Sequence, residues 1–419
     1  MQTYCLSTAS KPACCFFLLL LAAVCRPVSA QPHVRARKII EILCRKQWAG
    51  RGYDRKGDQK AARFLESRFS SLGLRRLPGR SSFTGEVSFS QNLFPATPKL
   101  RLGKRRLAAG ADWLPAPDCP PLSGSFSIRR GGGKADSLFS LYHRPGSREA
   151  WVLGEKEPIP DRPGSDGVLW IRESVRLTHS LSTASSPRPV LLLRTGTLTP
   201  GDSVLTVEVR SEVRPVVSSN VMGWAPGRSD KGRFLVVCAH YDHLGSLGPR
   251  VFFPGANDNA SGVALLLELA DSVMRNPLPL PVLFIAFTGE EAGLIGSRSF
   301  VAAPPLPLDS IRFVLNLDLF GFGETGATVV NATLHPGEFE RMVKINGMQG
   351  GLPALRSRGK AANSDHYPFS EKGVPAFFVY AMGGPGHYHD ISDRPETLSL
   401  AGFDAFHRLF YSFLEGFSP

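Results

Sequence analysis

Cysteine is scarce in this chain where it could matter. Of the seven cysteines, four fall within the first 25 residues, leaving only Cys44, Cys119 and Cys238 beyond them. An odd set of three excludes a disulfide framework as the device that holds the fold together, though Cys44 and Cys119 could pair in an oxidising compartment. Cys238 sits inside an all-apolar run and reads as a small buried hydrophobe. Apolar runs long enough to cross a bilayer are lacking too. Cys14–Val24 has about eleven residues, against roughly 20 for a spanning helix. With Lys11 before it and the small-x-small pattern Val28-Ser29-Ala30 after it, the run reads as a secretory signal peptide over 1–30. The mature chain would then start near Gln31 and be secreted or periplasmic, without a stable membrane span. The alternative is a retained anchor.

Negative charge is in deficit: 49 Lys and Arg face 36 Asp and Glu, a net charge of +13 that becomes +11 without Lys11 and Arg26. The excess is scattered, with local clusters such as Lys104-Arg105-Arg106, and no basic motif interleaved with aromatics accompanies it. That argues against a nucleic-acid partner and for a solvated basic surface. No internal repeat is visible. What remains is an ordinary globular composition, 42% apolar and 20% charged over 419 residues, enough for one large or two medium domains.

The chain divides by its patterning. Residues 34–48 place Ile39, Ile40, Leu43 and Trp48 near one helical face. After the glycine-punctuated loop 50–57, Asp58 reads as the N-cap of a second helix over 59–72, stopped by Gly73. Both helices, within 31–81, are expected to pack on the main domain. Residues 82–214 are rich in Pro, Gly, Ser and Arg, with short apolar runs at 167–172, 189–194 and 203–209. This is the pattern of a β-rich insertion. From 215 to 419, strands at 234–239, 282–287, 312–317 and 375–380 alternate with helices at 261–275, 290–302 and 401–415. Alternation of this kind predicts an α/β fold with a mostly parallel, doubly wound sheet covered by helices.

The stretch Phe234–Gly262 organises the rest. FLVVCA is apolar at every position, as a strand covered on both faces requires. His240, Asp242 and His243 follow at its C-terminal end, and Asp258 lies just before the next helix. The other strands repeat the arrangement: 282–287 leads to Glu290 and Glu291, 312–317 to Asp318, and 375–380 to a glycine-rich loop with His387 and His389. The carboxyl edge of such a sheet is where ligands bind. Singly, each feature is weak, since Glu-Glu at a helix start is ordinary dipole complementarity. Together they make a metal site of imidazoles and carboxylates without thiolate, suited to zinc or another first-row cation. They are too many ligands for one four-coordinate zinc with an open position, but suit two metals sharing a carboxylate.

The motifs AHYDHLG, PGANDNASG, FTGEEAGLIGS, NLDLFG, NSDHYPF and YHDISD, in that order, resemble the co-catalytic di-zinc aminopeptidases of the bacterial leucyl aminopeptidase type. The resemblance covers 219–415 and extends to GRGYDRKG. The insertion resembles, weakly, a protease-associated domain. The resemblance implies a zinc exopeptidase fold and two Zn2+ ions, with His240 and Asp318 on one, Glu291 and His389 on the other, and Asp258 bridging. Glu290 would be the general base, Asp242 would orient His240, and Tyr388 would steady an oxyanion. His389 is preferred to His387 because His-x-x-x-Asp, ending at Asp393, fits the family spacing. The implied substrate is a peptide with a free N-terminus. His243 is expected behind a ligand or lining the pocket, not on a metal. Asn363-Ser364-Asp365-His366 reads equally as a near-substrate segment or a helix start. A one-zinc glutaminyl cyclase, a carboxypeptidase for acidic C-terminal residues and a non-catalytic ectodomain are the alternatives on the same fold. Oligomeric state is not legible.

Overall fold

A computed structural model describes residues 1–2, 31–130, 147–159, 167–229 and 233–418. The signal-peptide expectation therefore lies outside the described residues. None of the described helices is long and apolar enough to cross a membrane.

Two eight-stranded sheets organise the protein. In the first, four parallel strands form the centre, in the order Val282–Phe287, Phe234–His240, Ile311–Asp318, Ala376–Ala381. Their side chains alternate between two cores. Leu235, Val237 and Ala239 face one apolar cluster, whereas Val236 and Cys238 face another. The continuous apolar run in the sequence is thus explained: with both faces covered, no position is left for a polar residue. Helices Pro32–Leu43, Gly262–Arg275 and Phe403–Glu415 share the first cluster. Helices Ile295–Ala302 and His366–Glu371 pack against the second. The last helix buries Phe403, Phe406, Phe410 and Phe413, each burial stabilising by about 1.5–3 kcal/mol.

Sequence and structure differ at the flanks of this sheet. Thr84–Leu93 pairs antiparallel with Glu212–Ala225, which pairs antiparallel with Val282–Phe287. The β-rich stretch 82–214 is consequently shared between the sheets. Its first strand joins the main sheet, and the second sheet is built from strands between Lys99 and Val209. At the opposite edge, the short strands Ala327–Val330 and Leu355–Ser357 escaped the sequence reading, being too brief to carry a period-2 pattern. Helix Gly57–Ser71 includes Asp58 rather than being capped by it, and Asp58 is buried. Cys44, Cys119 and Cys238 are all free thiols.

The second sheet's core is continuous with the loops of the first sheet, since Leu244, Leu247 and Phe253 belong to its apolar cluster. The insertion thereby rests on the loop that follows His240.

Candidate metal centre

Strand ends deliver the site. His240 terminates its strand and Asp318 terminates the neighbouring one. His240 Nε2 lies 3.4 Å from both Asp258 Oδ1 and Asp318 Oδ1. His389 Nε2 lies 3.3 Å from Asp258 Oδ2 and 3.2 Å from Glu291 Oε2. Asp258 thus stands between two imidazole–carboxylate pairs, one oxygen turned to each. His240, Asp258 and Asp318 are buried, and their potential ligand atoms lie within 4.8 Å of one another.

Each of these side chains is held from behind. The Asp393 carboxylate accepts the backbone N–H groups of Asn257 and Asp258 at 2.8 and 3.0 Å. The Asn259 amide donates to Leu317 O and accepts from Gly262 N and Leu319 N, tying the Asp258 turn to the Asp318 strand. Ser364 Oγ donates to Asp318 Oδ2 at 3.3 Å. His389 adopts φ +57, a left-handed conformation that a non-glycine residue rarely takes without a local reason. Its Nδ1 lies 2.9 Å from His179 O, which belongs to the insertion and can fix the ring's tautomer. Tyr388 stacks on it, the ring centroids 3.8 Å apart.

Glu290 and Glu291 depart from the expected helix over 290–302. Gly289 and Gly293 have φ +69 and +108, Leu294 has φ +61, and the helix begins only at Ile295. The resulting turn leaves the N–H groups of Glu290 and Glu291 free to donate to the two oxygens of Asp242, at 3.4 and 3.3 Å. Asp242 meets His240 Nδ1 through its backbone carbonyl at 3.3 Å, with its carboxylate 3.7 Å away. It therefore braces the Glu290 turn as much as the imidazole. His243, expected behind a ligand or lining the pocket, is fully buried with Nδ1 2.7 Å from Glu291 Oε1. His387 is partly exposed on the loop.

The loop 50–57 contributes more than its glycines suggested. Arg51 is buried, and its guanidinium donates to Tyr241 O at 2.8 Å, Pro254 O at 2.6 Å, Gly255 O at 2.7 Å and Asp258 O at 3.3 Å. Tyr53 donates to Asp242. Neither role had a signal beyond the two residues' place in GRGYDRKG, because both partners are remote in sequence.

Charge in the cluster is strongly unbalanced. Burial pushes Glu290 well above the usual carboxylate range, and the nearby Glu291, Asp365 and Asp318 charges add to this against the opposing pull of His240. Burial would depress His240, but Glu290, Asp318, Asp242 and Asp258 outweigh it and hold the imidazole well above its ordinary value. His389 is raised likewise, burial being overcome by Glu291 and Asp258. Buried groups shifted this strongly make the cluster a functional-site candidate, and its converging carboxylates call for cations. Imidazole nitrogens and carboxylate oxygens, without thiolate, fit divalent first-row metals such as zinc.

Residues 220–414 match the family described as Peptidase family M28. The match covers just under half of the chain. The chain is 25% identical over 255 residues to leucine aminopeptidase 1 of Leptosphaeria maculans, covering 57% of this chain and 60% of that one. To aminopeptidase YwaD of Bacillus subtilis it is 32% identical over 196 residues, covering 43% and 41%. The chain thus spans about half the length of the curated relatives it matches. The fold is similar to that of BSAP, a zinc aminopeptidase from Bacillus subtilis, with a TM-score of 0.66 at 20% identity over 91% of this chain and 93% of that one. The matched stretch holds every strand end that carries a site residue. Arg51, Tyr53 and His179 brace it from outside.

Proposed function

We propose that the protein is a zinc-dependent aminopeptidase that removes N-terminal residues from peptides in a secreted or periplasmic setting. The reading includes 1–30 as signal, 31–81 as packing helices, 82–214 as the β-rich insertion and 215–419 as the catalytic domain. The observation that carries it is Asp258 set between the His240–Asp318 and His389–Glu291 pairs, with Glu290 beside them on a cavity of about 180 Å³. The relatives' names, leucine aminopeptidase and aminopeptidase, support the same class, as does the zinc aminopeptidase that shares the fold.

In this reading His240 and Asp318 would hold one zinc, Glu291 and His389 the other, and Asp258 would be shared between them. Two bound zincs would lower the pKa of a water towards neutrality and polarise the scissile carbonyl. The chain's own groups do the rest. Glu290 accepts the proton of the attacking water and returns it to the leaving amine. Tyr388, adjacent to His389 and lining the cavity, offers its hydroxyl to the developing oxyanion. Asp242 holds the Glu290 turn in place. The acidic wall receives the substrate's free α-ammonium, which sets cleavage at the N-terminus.

The test combines elemental analysis of the purified protein with a panel of free and N-acetylated aminoacyl reporters and an N-terminal Gln peptide. Two zincs with cleavage of free-amine substrates alone is the expected result. One zinc with cyclisation of the Gln peptide would move the protein to the cyclase chemistry. Stoichiometric metal without turnover on any substrate would leave a binding role.

A further inference from the structure

The cavity beside the metal centre has a lining of mixed character. His240, Asp258, Glu290 and Asp318 line it together with Leu319, Phe378 and Arg358. Arg358 is the sole guanidinium or ammonium group among the described residues lining it. The sheet fixes its place. Tyr380 pairs in register with Asp318 on one side and Thr328 on the other, and Thr328 pairs with Arg356. Arg358 thus follows a strand three places from the Asp318 strand, roughly 14 Å of backbone at the usual inter-strand spacing. Its own N–H donates to Val329 O at 2.9 Å. Its guanidinium reaches back and donates from Nη1 to the Tyr380 hydroxyl at 3.3 Å. No carboxylate of the described residues pairs with it, in contrast to Lys360 two positions on, which pairs with Glu371. One neutral phenol leaves most of the five-donor fork open.

We propose that Arg358 is a specificity-determining residue that receives a carboxylate of the substrate, so that the cavity selects peptides bearing an α-ammonium at one end and a carboxylate one side-chain length away. The proposal rests on the aminopeptidase reading above and adds the substrate class. The acidic groups take the ammonium, and the guanidinium takes the planar carboxylate in the two-point contact that suits it. Leu319, Phe378 and the Tyr380 ring line the same cavity and offer apolar surface to the intervening methylenes. Asn363 lines it too, as a further donor. Two carboxylates satisfy this polarity: the side chain of an N-terminal Glu or Asp, and the chain-terminal carboxylate of a dipeptide.

The experiment compares wild type with Arg358→Gln on two pairs of isosteres, Glu- against Gln-aminoacyl reporters and Ala-Ala against Ala-Ala amide. Wild type should prefer the carboxylate member of at least one pair by ~10-fold or more in kcat/KM. Arg358→Gln should bring that ratio close to one while its rate on the neutral member stays within about threefold. A loss confined to the Glu–Gln pair assigns the side-chain carboxylate, and one confined to Ala-Ala assigns the terminal carboxylate. Equal rates on both members of both pairs in wild type, or an equal fall on charged and neutral substrates in the variant, would overturn the proposal. If no reporter is hydrolysed, the peptidase reading fails, and calorimetry then decides the inference by itself. L-glutamate against L-glutamine, and the unhydrolysed Ala-Ala against its amide, are titrated into the zinc-loaded protein. A carboxylate preference abolished by Arg358→Gln upholds it; indifference rejects it.

Discussion

The Tyr53 hydroxyl donates to Asp242 Oδ2 at 2.7 Å and accepts the backbone N–H of Gly289 at 2.9 Å. The N-terminal loop is thereby wired to the turn that presents Glu290. Tyr53→Phe would leave a buried carboxylate oxygen and a buried N–H without this partner, a loss of about 1–3 kcal/mol. Denaturant unfolding should show that decrease, and kcat should fall more than KM rises because the Glu290 turn is loosened. An unchanged unfolding midpoint would mean that the contact contributes nothing.

Glu290→Ala should keep the full metal complement and lose turnover by about 10²- to 10⁴-fold, the range for a general base. Elemental analysis and steady-state kinetics on the same preparation check both halves. Retained activity would remove Glu290 from the base role.

Asp258→Ala should deplete both metal positions, since each imidazole–carboxylate pair shares this residue. A variant that still carries two zincs would end the bridging assignment.

Stability should depend on pH through Asp54. Burial pushes its carboxyl up from 3.8 to about 6, against the opposing hydrogen bond from Ser246 Oγ at 2.5 Å. The folded state therefore binds the proton more tightly than the unfolded chain. The contribution is fully present below about pH 4 and is lost as pH rises to about 6, a change of about 1–3 kcal/mol. Urea unfolding of wild type and Asp54→Asn at pH 4 and pH 7 checks the sign. The variant should lose less stability over that interval, and parallel profiles would exclude Asp54 as the source.

The sequence by itself determined the α/β core and the candidate donor set of the site. A strand buried on both faces must be apolar throughout, so 234–239, 282–287, 312–317 and 375–380 stood out. Because consecutive parallel strands end at one edge, His240, Glu290, Glu291 and Asp318 could be placed together before any coordinates. The tertiary structure decided what holds them. Arg51, Tyr53, His179 and Asp393 act through contacts with backbone or side chains distant in sequence, and no local period records such partners. The sharing of 82–214 between two sheets, and the place of Arg358 on the cavity lining, depend on edge strands whose pairing is fixed by neighbours rather than by their own residues. Local chemistry named the candidate ligands; long-range packing chose their orientation.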